Sequence, residues 1–301
     1  MAFFDRVAGA PISWGVCEVP GWGLMLPTSR VLPEMKELGI TETELGAPGF
    51  FPEAKEEVKA ELDRYGMGMI GGFVPLVLQH PERWDEAVAN ARAAAEVFAY
   101  LGGDTFVTAP VQEYDWPRPV ALDREGMRNL AKGLKLIDEV CADYGMVQTL
   151  HPHFDTLIET KADVDLLLEE SDVKWCLDTG HLTVGGTDPV EFARQYADRV
   201  GTVHLKDVRL ELADKAMKRE LTLLKAVQAG IFTPLGEGDV PIRDVVLALE
   251  AAGYDGRYVI EQDLAITGDV PAEGTGPIEN VRTSIEYLRR EVLPALPEAA
   301  A

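Results

Sequence analysis

Basic residues are scarce in this sequence. Its 28 lysines and arginines face 51 aspartates and glutamates, giving a formal net charge of −23 over 301 residues. Nucleic-acid binding draws its affinity from lysine and arginine neutralising phosphates, so this balance argues against a nucleic-acid partner. The acidity is spread along the chain rather than gathered in a tail, and on its own it describes a well-solvated surface. Cysteine is sparse too: Cys17, Cys141 and Cys176 are widely spaced and odd in number. They read as reduced thiols of a cytoplasmic protein, not as a disulfide framework. No run of ~18 uninterrupted apolar residues occurs, so no membrane span is expected. The opening Met1-Ala-Phe-Phe-Asp-Arg lacks a basic segment ahead of a long apolar stretch, so no secretory signal is expected. Also missing are a G-x-G-x-x-G after a strand and a Walker sequence, which removes the usual signs of a nucleotide-binding doubly wound sheet.

What is present is periodic. Short β-branched runs alternate with longer amphipathic segments, the pattern of βα units on a parallel sheet. The runs are Ala10–Gly15, Thr41–Leu45, Met69–Val74, Thr105–Ala109, Val147–His151, Lys174–Asp178, Thr202–Lys206 and Arg257–Gln262. Between them, segments such as Asp85–Tyr100 and Met127–Tyr144 repeat apolar residues at steps of three and four. Gly39, Gly66, Gly102-Gly103, Gly145 and Gly253 stand where left-handed C-caps belong. Eight such units predict one (β/α)8 TIM barrel over residues 1–301, a fold that takes roughly 250 residues plus insertions. An apolar content of 47% supplies both a barrel core and a helix-packing layer. One connection is too long for a simple βα loop: Arg209 to about Val240, after the seventh strand. It is expected over the C-terminal face, as a lid or an oligomer contact.

Catalytic residues of such a barrel come from the C-terminal ends of its strands, and ionisable residues collect there. Strand five ends in Leu150-His151-Pro152-His153, and strand six in Asp178-Thr179-Gly180-His181. Strand seven carries His204-Leu205-Lys206-Asp207, and strand eight Glu261-Gln262-Asp263. Four of the five histidines lie in these segments; the fifth, His80, follows strand three and reads as structural. Taken singly, a histidine on an apolar strand is usually a satisfied core residue. Asp178 alone could be a helix cap, and Glu261–Asp263 alone an exposed strand end. Four strand ends that all carry ligand-type residues point instead to one divalent metal. A mixed carboxylate and imidazole shell suits Mn²⁺, Co²⁺ or Zn²⁺, whereas Mg²⁺ prefers oxygen alone. Alternation along a strand sends His204 and Lys206 the same way, into the barrel mouth, and likewise His151 and His153.

The strand-six D-T-G-H, the strand-seven H-x-K-D and the strand-eight E-x-D resemble the xylose-isomerase-like superfamily of sugar isomerases, epimerases and dehydratases. Within it the chain is most similar to the inosose (2-keto-myo-inositol) dehydratases. The likeness lies in Pro11-Ile12-Ser13-Trp14, Thr43-Glu44-Leu45-Gly46, His204 through Arg209, Leu224-Lys225-Ala226-Val227, Gly230-Ile231-Phe232-Thr233 and Gly236-Glu237-Gly238. The resemblance implies that Asp178, His204 and Glu261 bind the metal. It departs from the superfamily at strand five, where His151 replaces a glutamate ligand. His151 is therefore either the fourth ligand or a pocket residue beside a water. The same resemblance points to His153 for proton transfer; Lys206 is a candidate to steady an oxyanion or deliver a proton and His181 to orient the substrate, and Mn²⁺ is the metal expected first.

The function implied is a lyase of inositol or related carbohydrate catabolism that dehydrates a keto-polyol or sugar through an enolate. An isomerase or epimerase working through the same metal-bound enediolate is the alternative. Abasic-site DNA cleavage, also found in the superfamily, is disfavoured by the charge and by five histidines. A metal-free sugar-binding barrel is the non-catalytic reading, and a homo-oligomer is left open.

Overall fold

The eight periodic runs close into a ring of parallel strands. The computed structural model describes residues 2–296. Its barrel strands are β1 (Val7–Gly9), β2 (Glu42–Glu44), β3 (Gly68–Leu76), β4 (Thr105–Pro110), β5 (Val147–Leu150), β6 (Lys174–Asp178), β7 (Val200–Leu205) and β8 (Tyr258–Ile260). Each strand pairs with its sequence neighbours, and β8 closes the ring against β1, Ala8 facing Val259. Helices Thr28–Glu37, Lys55–Tyr65, Trp84–Tyr100, Arg124–Asp143, Lys161–Glu170, Pro189–Tyr196, Ile242–Ala251 and Pro277–Tyr287 form the outer layer. The chain is thus a (β/α)8 barrel, as its periodicity predicts.

Local chemistry explains these elements. Arg124–Asp143 buries Met127, Leu130, Leu134, Ile137 and Cys141, residues at three- and four-residue steps that share one face. Its N-terminus is capped by Asp123, whose side chain accepts from the Gly126 amide at 2.8 Å. Its C-terminus ends at Gly145 with φ of 70°, a left-handed position that a Cβ would penalise. Gly71 has a different task. At φ 145° a side chain there would lie 1.7 Å from the Thr105 carbonyl oxygen, so β3 and β4 approach closely only because it is glycine.

The first strand differs from its expected position. Ala10–Gly15 is not a strand: β1 ends at Gly9, and Pro11–Trp14 forms a 3₁₀ turn capped by Gly15 at φ 78°. Pro11 has no amide proton for a ladder and suits the first turn of a helix. The apolar run Pro11-Ile12-Ser13-Trp14 is buried for another reason. The Trp14 ring is fully enclosed, and its indole donates to Glu34 at 2.8 Å. Strand five is also shorter than expected, ending at Leu150 ahead of Pro152. Strands β7 and β8 are Val200–Leu205 and Tyr258–Ile260, in place of Thr202–Lys206 and Arg257–Gln262.

The Arg209–Val240 connection is built on a ribbon in which Asp207–Val208 pairs antiparallel with Phe232–Thr233. Helices Leu210–Met217 and Leu223–Gln228 lie between the two strands. The Asp207 carboxylate organises the return: it accepts from the amides of Val208, Gly236, Gly238 and Val240 at 2.8–3.0 Å. The last residue of the H-x-K-D sequence therefore folds a loop. The segment lies on the C-terminal side of the barrel, where Arg219 reaches the loop after β5. No described helix is long and apolar enough to cross a membrane.

Candidate metal centre

Parallel pairing fixes which side chains share the barrel mouth. Asp178 on β6 stands level with His204 on β7, and His204 level with Val259 on β8. Residues level in a parallel sheet point the same way. Val259 joins Ala8, Ala10 and Ile70 in a small apolar cluster of its own. Two residues further along, Glu261 faces the same side as Val259, one layer up.

The four residues implied as ligands meet there, all buried. His204 Nδ1 is 2.5 Å from Glu261 Oε2 and 3.8 Å from Asp178 Oδ2. His151 Nε2 is 3.2 Å from His204 Nδ1 and 3.3 Å from Asp178 Oδ2. Helix Thr179–Val184 begins at Asp178, whose Oδ1 accepts from the His181 amide at 2.7 Å. That bond aims Oδ2 at the cluster, where it is buried without a well-directed hydrogen bond. His151 Nδ1 is buried without a partner as well. An orphaned carboxylate oxygen beside two imidazole nitrogens and a second carboxylate is a donor set that fits one divalent cation of the Mn²⁺, Co²⁺ or Zn²⁺ type.

Sequence reasoning gave no role to two of the groups around this set. Glu44, at the end of β2, places Oε1 3.0 Å from His204 Nε2. With Nε2 donating to Glu44, Nδ1 is the nitrogen turned toward Asp178 and Glu261, and it would give up its proton to serve as a ligand. Asp263 lies 2.8 Å from Lys206 Nζ and 3.9 Å from His181 Nε2. In sequence each stands only as a member of a motif, Glu44 in Thr43-Glu44-Leu45-Gly46 and Asp263 in Glu261-Gln262-Asp263, with nothing to name its partner. Glu44 is 160 residues from His204, so only the closed barrel brings them together.

The residues implied for proton transfer and substrate lie beside these four. Lys206 is fully buried, with Nζ 2.7 Å from Glu261 Oε1, 3.4 Å from Asp178 Oδ2 and 3.1 Å from His181 Nε2. Gly180 makes room for it, since a Cβ at that position would lie 2.7 Å from Lys206 Cγ. An ammonium has no lone pair, so His181 Nε2 accepts from Lys206, while the Phe154 amide points at His181 Nδ1 from 3.4 Å. His153 is not on a continuous strand with His151, because β5 stops before Pro152. The two rings nevertheless lie 5.5 Å apart, and the His153 and His181 rings 3.9 Å apart. His153 Nδ1 sits 2.6 Å from the Phe154 carbonyl oxygen and must donate to it, leaving the Nε2 lone pair free. Phe73 and Trp116, each more than a third exposed, flank His153 with ring centroids at 5.9 and 6.1 Å. His80 stands apart, at the start of the 3₁₀ turn Pro81–Arg83.

Burial and charge set the protonation states. Burial lowers His153 to about 3, with His151 and Lys206 adding to the effect. Burial also lowers His151 and His181. Burial opposes the Lys206 charge, yet Asp178, Asp263 and Glu261 hold it well above the usual lysine value. For His204 burial is likewise outweighed, by Cys176, Glu261 and Glu44. Because burial pushes the Cys176 thiol up to about 11, the charge His204 meets at neutral pH comes from the carboxylates. Burial raises Asp263 to about 7 against the pull of Lys206.

Residues 32–291 match the family pattern described as xylose isomerase-like TIM barrel. An inosose dehydratase of Geobacillus kaustophilus is 32% identical over 275 residues, covering 87% of this chain and 89% of that protein. Among solved structures, a probable 3-DHS dehydratase of Bacillus anthracis aligns with a TM-score of 0.70 at 16% identity, over 95% of this chain and 99% of that one. The IOLI protein, crystallised with a binding zinc atom, aligns with a TM-score of 0.68 at 13% identity, over 97% and 99% of the two chains.

Proposed function

Because the chain belongs to the xylose isomerase-like TIM-barrel family, in its inosose dehydratase-like branch, we propose that it is a metal-dependent lyase that dehydrates a 2-keto polyol such as 2-keto-myo-inositol. The observation that carries this reading is the convergence of His151, Asp178, His204 and Glu261 around the orphaned Asp178 Oδ2. These four residues would hold the cation, with Mn²⁺ the first choice and Co²⁺ or Zn²⁺ the alternatives. A bound divalent ion there supplies Lewis acidity toward a ketone oxygen.

The chain's own groups supply the rest. His153 offers a lone pair on Nε2, fixed by its Nδ1 proton on the Phe154 carbonyl, and takes the proton α to the ketone. The hydroxyl on the next carbon then leaves as water with the proton that His153 has taken, so His153 is restored and the product is the substrate less one water. Lys206 is held in its charged form by three carboxylates. It therefore suits the steadying of a developing oxyanion better than the delivery of a proton. His181, beside Lys206 and the His153 ring, orients the substrate. The exposed faces of Phe73 and Trp116 bound the space beside His153.

Incubation of the metal-loaded protein with 2-keto-myo-inositol tests the reading through the absorbance of the dione product. A product of unchanged composition would assign the chain to the isomerase or epimerase alternative, since proton abstraction α to the ketone is common to both.

A further inference from the structure

A second group of ligand-type side chains adjoins the first. One ring nitrogen each from His153 and His181 and a carboxylate oxygen of Asp263 all lie within 4.8 Å of one another. Such a group invites a divalent ion, and its His181 ring lies 5.6 Å from the His151 ring of the first. Its position is already taken by a positive charge. Lys206 Nζ is 3.1 Å from His181 Nε2 and 2.8 Å from Asp263 Oδ1, and it also bridges to Glu261 Oε1 at 2.7 Å and Asp178 Oδ2 at 3.4 Å. We propose that the Lys206 ammonium stands in for a second divalent cation among His153, His181 and Asp263, and so limits the pocket to a single metal ion.

Charge counting supports this. With Asp263 ionised beside Lys206 and His204 neutral as a metal ligand, Glu44, Asp178, Glu261 and Asp263 place four buried carboxylates around one buried ammonium. One divalent ion beside Lys206 neutralises all but one of those charges, and a second would leave a net positive charge among buried groups. An uncompensated charge among buried groups is strongly unfavourable. Without Lys206, one divalent ion leaves two negative charges unanswered and a second ion balances them. Geometry adds a steric term. Gly180 lets the Lys206 stem pass at closest approach, so the ammonium is delivered to this point by a fixed path. The consequence is chemical: with an ammonium instead of a metal at this position, His153 Nε2 stays unligated and able to accept a proton.

The inference rests on the single-metal reading above, and the test separates the two. The purified full chain, stripped with a chelator, is dialysed against millimolar Mn²⁺, and bound metal is counted by elemental analysis and electron paramagnetic resonance. The unaltered protein should hold one Mn²⁺ per chain with an isolated-ion spectrum. Lys206→Met and Lys206→Gln should hold two, with a spin-coupled spectrum that reverts to the isolated form when Asp263→Asn is added. No bound metal in the unaltered protein overturns the metal reading and this inference with it. One ion in the unaltered protein and one in both folded Lys206 variants overturns the inference alone. Should the variants not fold, crystals of the unaltered protein soaked in Mn²⁺ decide it. One anomalous peak at Asp178, His204 and Glu261 is expected, and a second peak among His153, His181 and Asp263 overturns the proposal.

Discussion

Glu44 at the end of β2 holds His204 of β7 from across the barrel mouth, with Oε1 3.0 Å from Nε2. A carboxylate in this position fixes both the tautomer and the ring angle of a metal-binding histidine. Glu44→Ala should weaken metal affinity by ~10–100-fold, while Glu44→Gln, which keeps an acceptor oxygen, should cost less. Titration against a chromophoric chelator reads both. Unchanged affinity in Glu44→Ala would remove this residue from the site.

His153 and the ligands should separate in their effects. His153→Ala is expected to keep its metal and lose ~10²–10⁴ in dehydration rate, the usual range for a general base. Asp178→Asn and Glu261→Gln should lose the metal and the activity together. Metal stoichiometry and rate, measured side by side, check this. A fully active His153→Ala protein would take His153 out of the reaction.

The strand ends were the most legible part of this sequence, because alternation on a strand and ligand-type residues at its end are local signals. Lys174–Asp178 was legible to the residue, and so were the glycine caps at Gly66 and Gly145. The first strand was misplaced because Pro11-Ile12-Ser13-Trp14 is as apolar as a strand but lacks the amide a ladder needs. Glu44, Asp263 and Arg219 carry no local sign of their partners. Those contacts form only when the ring closes and the Arg209–Val240 connection folds back.

Arg219 ties that connection to the loop bearing His153. Its guanidinium donates to Asp155 at 3.0 Å and Glu159 at 2.6 Å and lies 4.4 Å over the Phe154 ring. Arg219 and Asp155 both adopt left-handed backbone, at φ 61° and 62°, a conformation that non-glycine residues hold only under tertiary constraint. Arg219→Ala leaves Glu159 buried without its partner and should cost about 1–3 kcal/mol in urea unfolding. Lysine restores the charge without the forked geometry, so Arg219→Lys should recover only part. Equal stability of all three proteins would show that the tie contributes nothing.

Asp138, on the outer helix Arg124–Asp143, gives a pH dependence independent of the site. Burial raises its carboxyl from 3.8 to about 6, with Asp172 and Glu139 adding to the effect. The folded state therefore holds a proton that the unfolded chain releases between those values. Stability from this group falls as pH rises through that window, and the loss is complete above about 6. Asp138→Asn should stabilise the protein by ~1–2 kcal/mol at pH 7 and by much less at acid pH. Thermal unfolding at both pH values checks this, and an equal gain at each would contradict it.

The most direct test of the central claim is mass spectrometry of 2-keto-myo-inositol incubated in D₂O with Mn²⁺-loaded and with chelator-treated protein. Loss of one water from the substrate, with the loaded protein only, is the predicted result. Deuterium washed into a product that has lost no water, or dehydration that proceeds equally after the metal is removed, would contradict it.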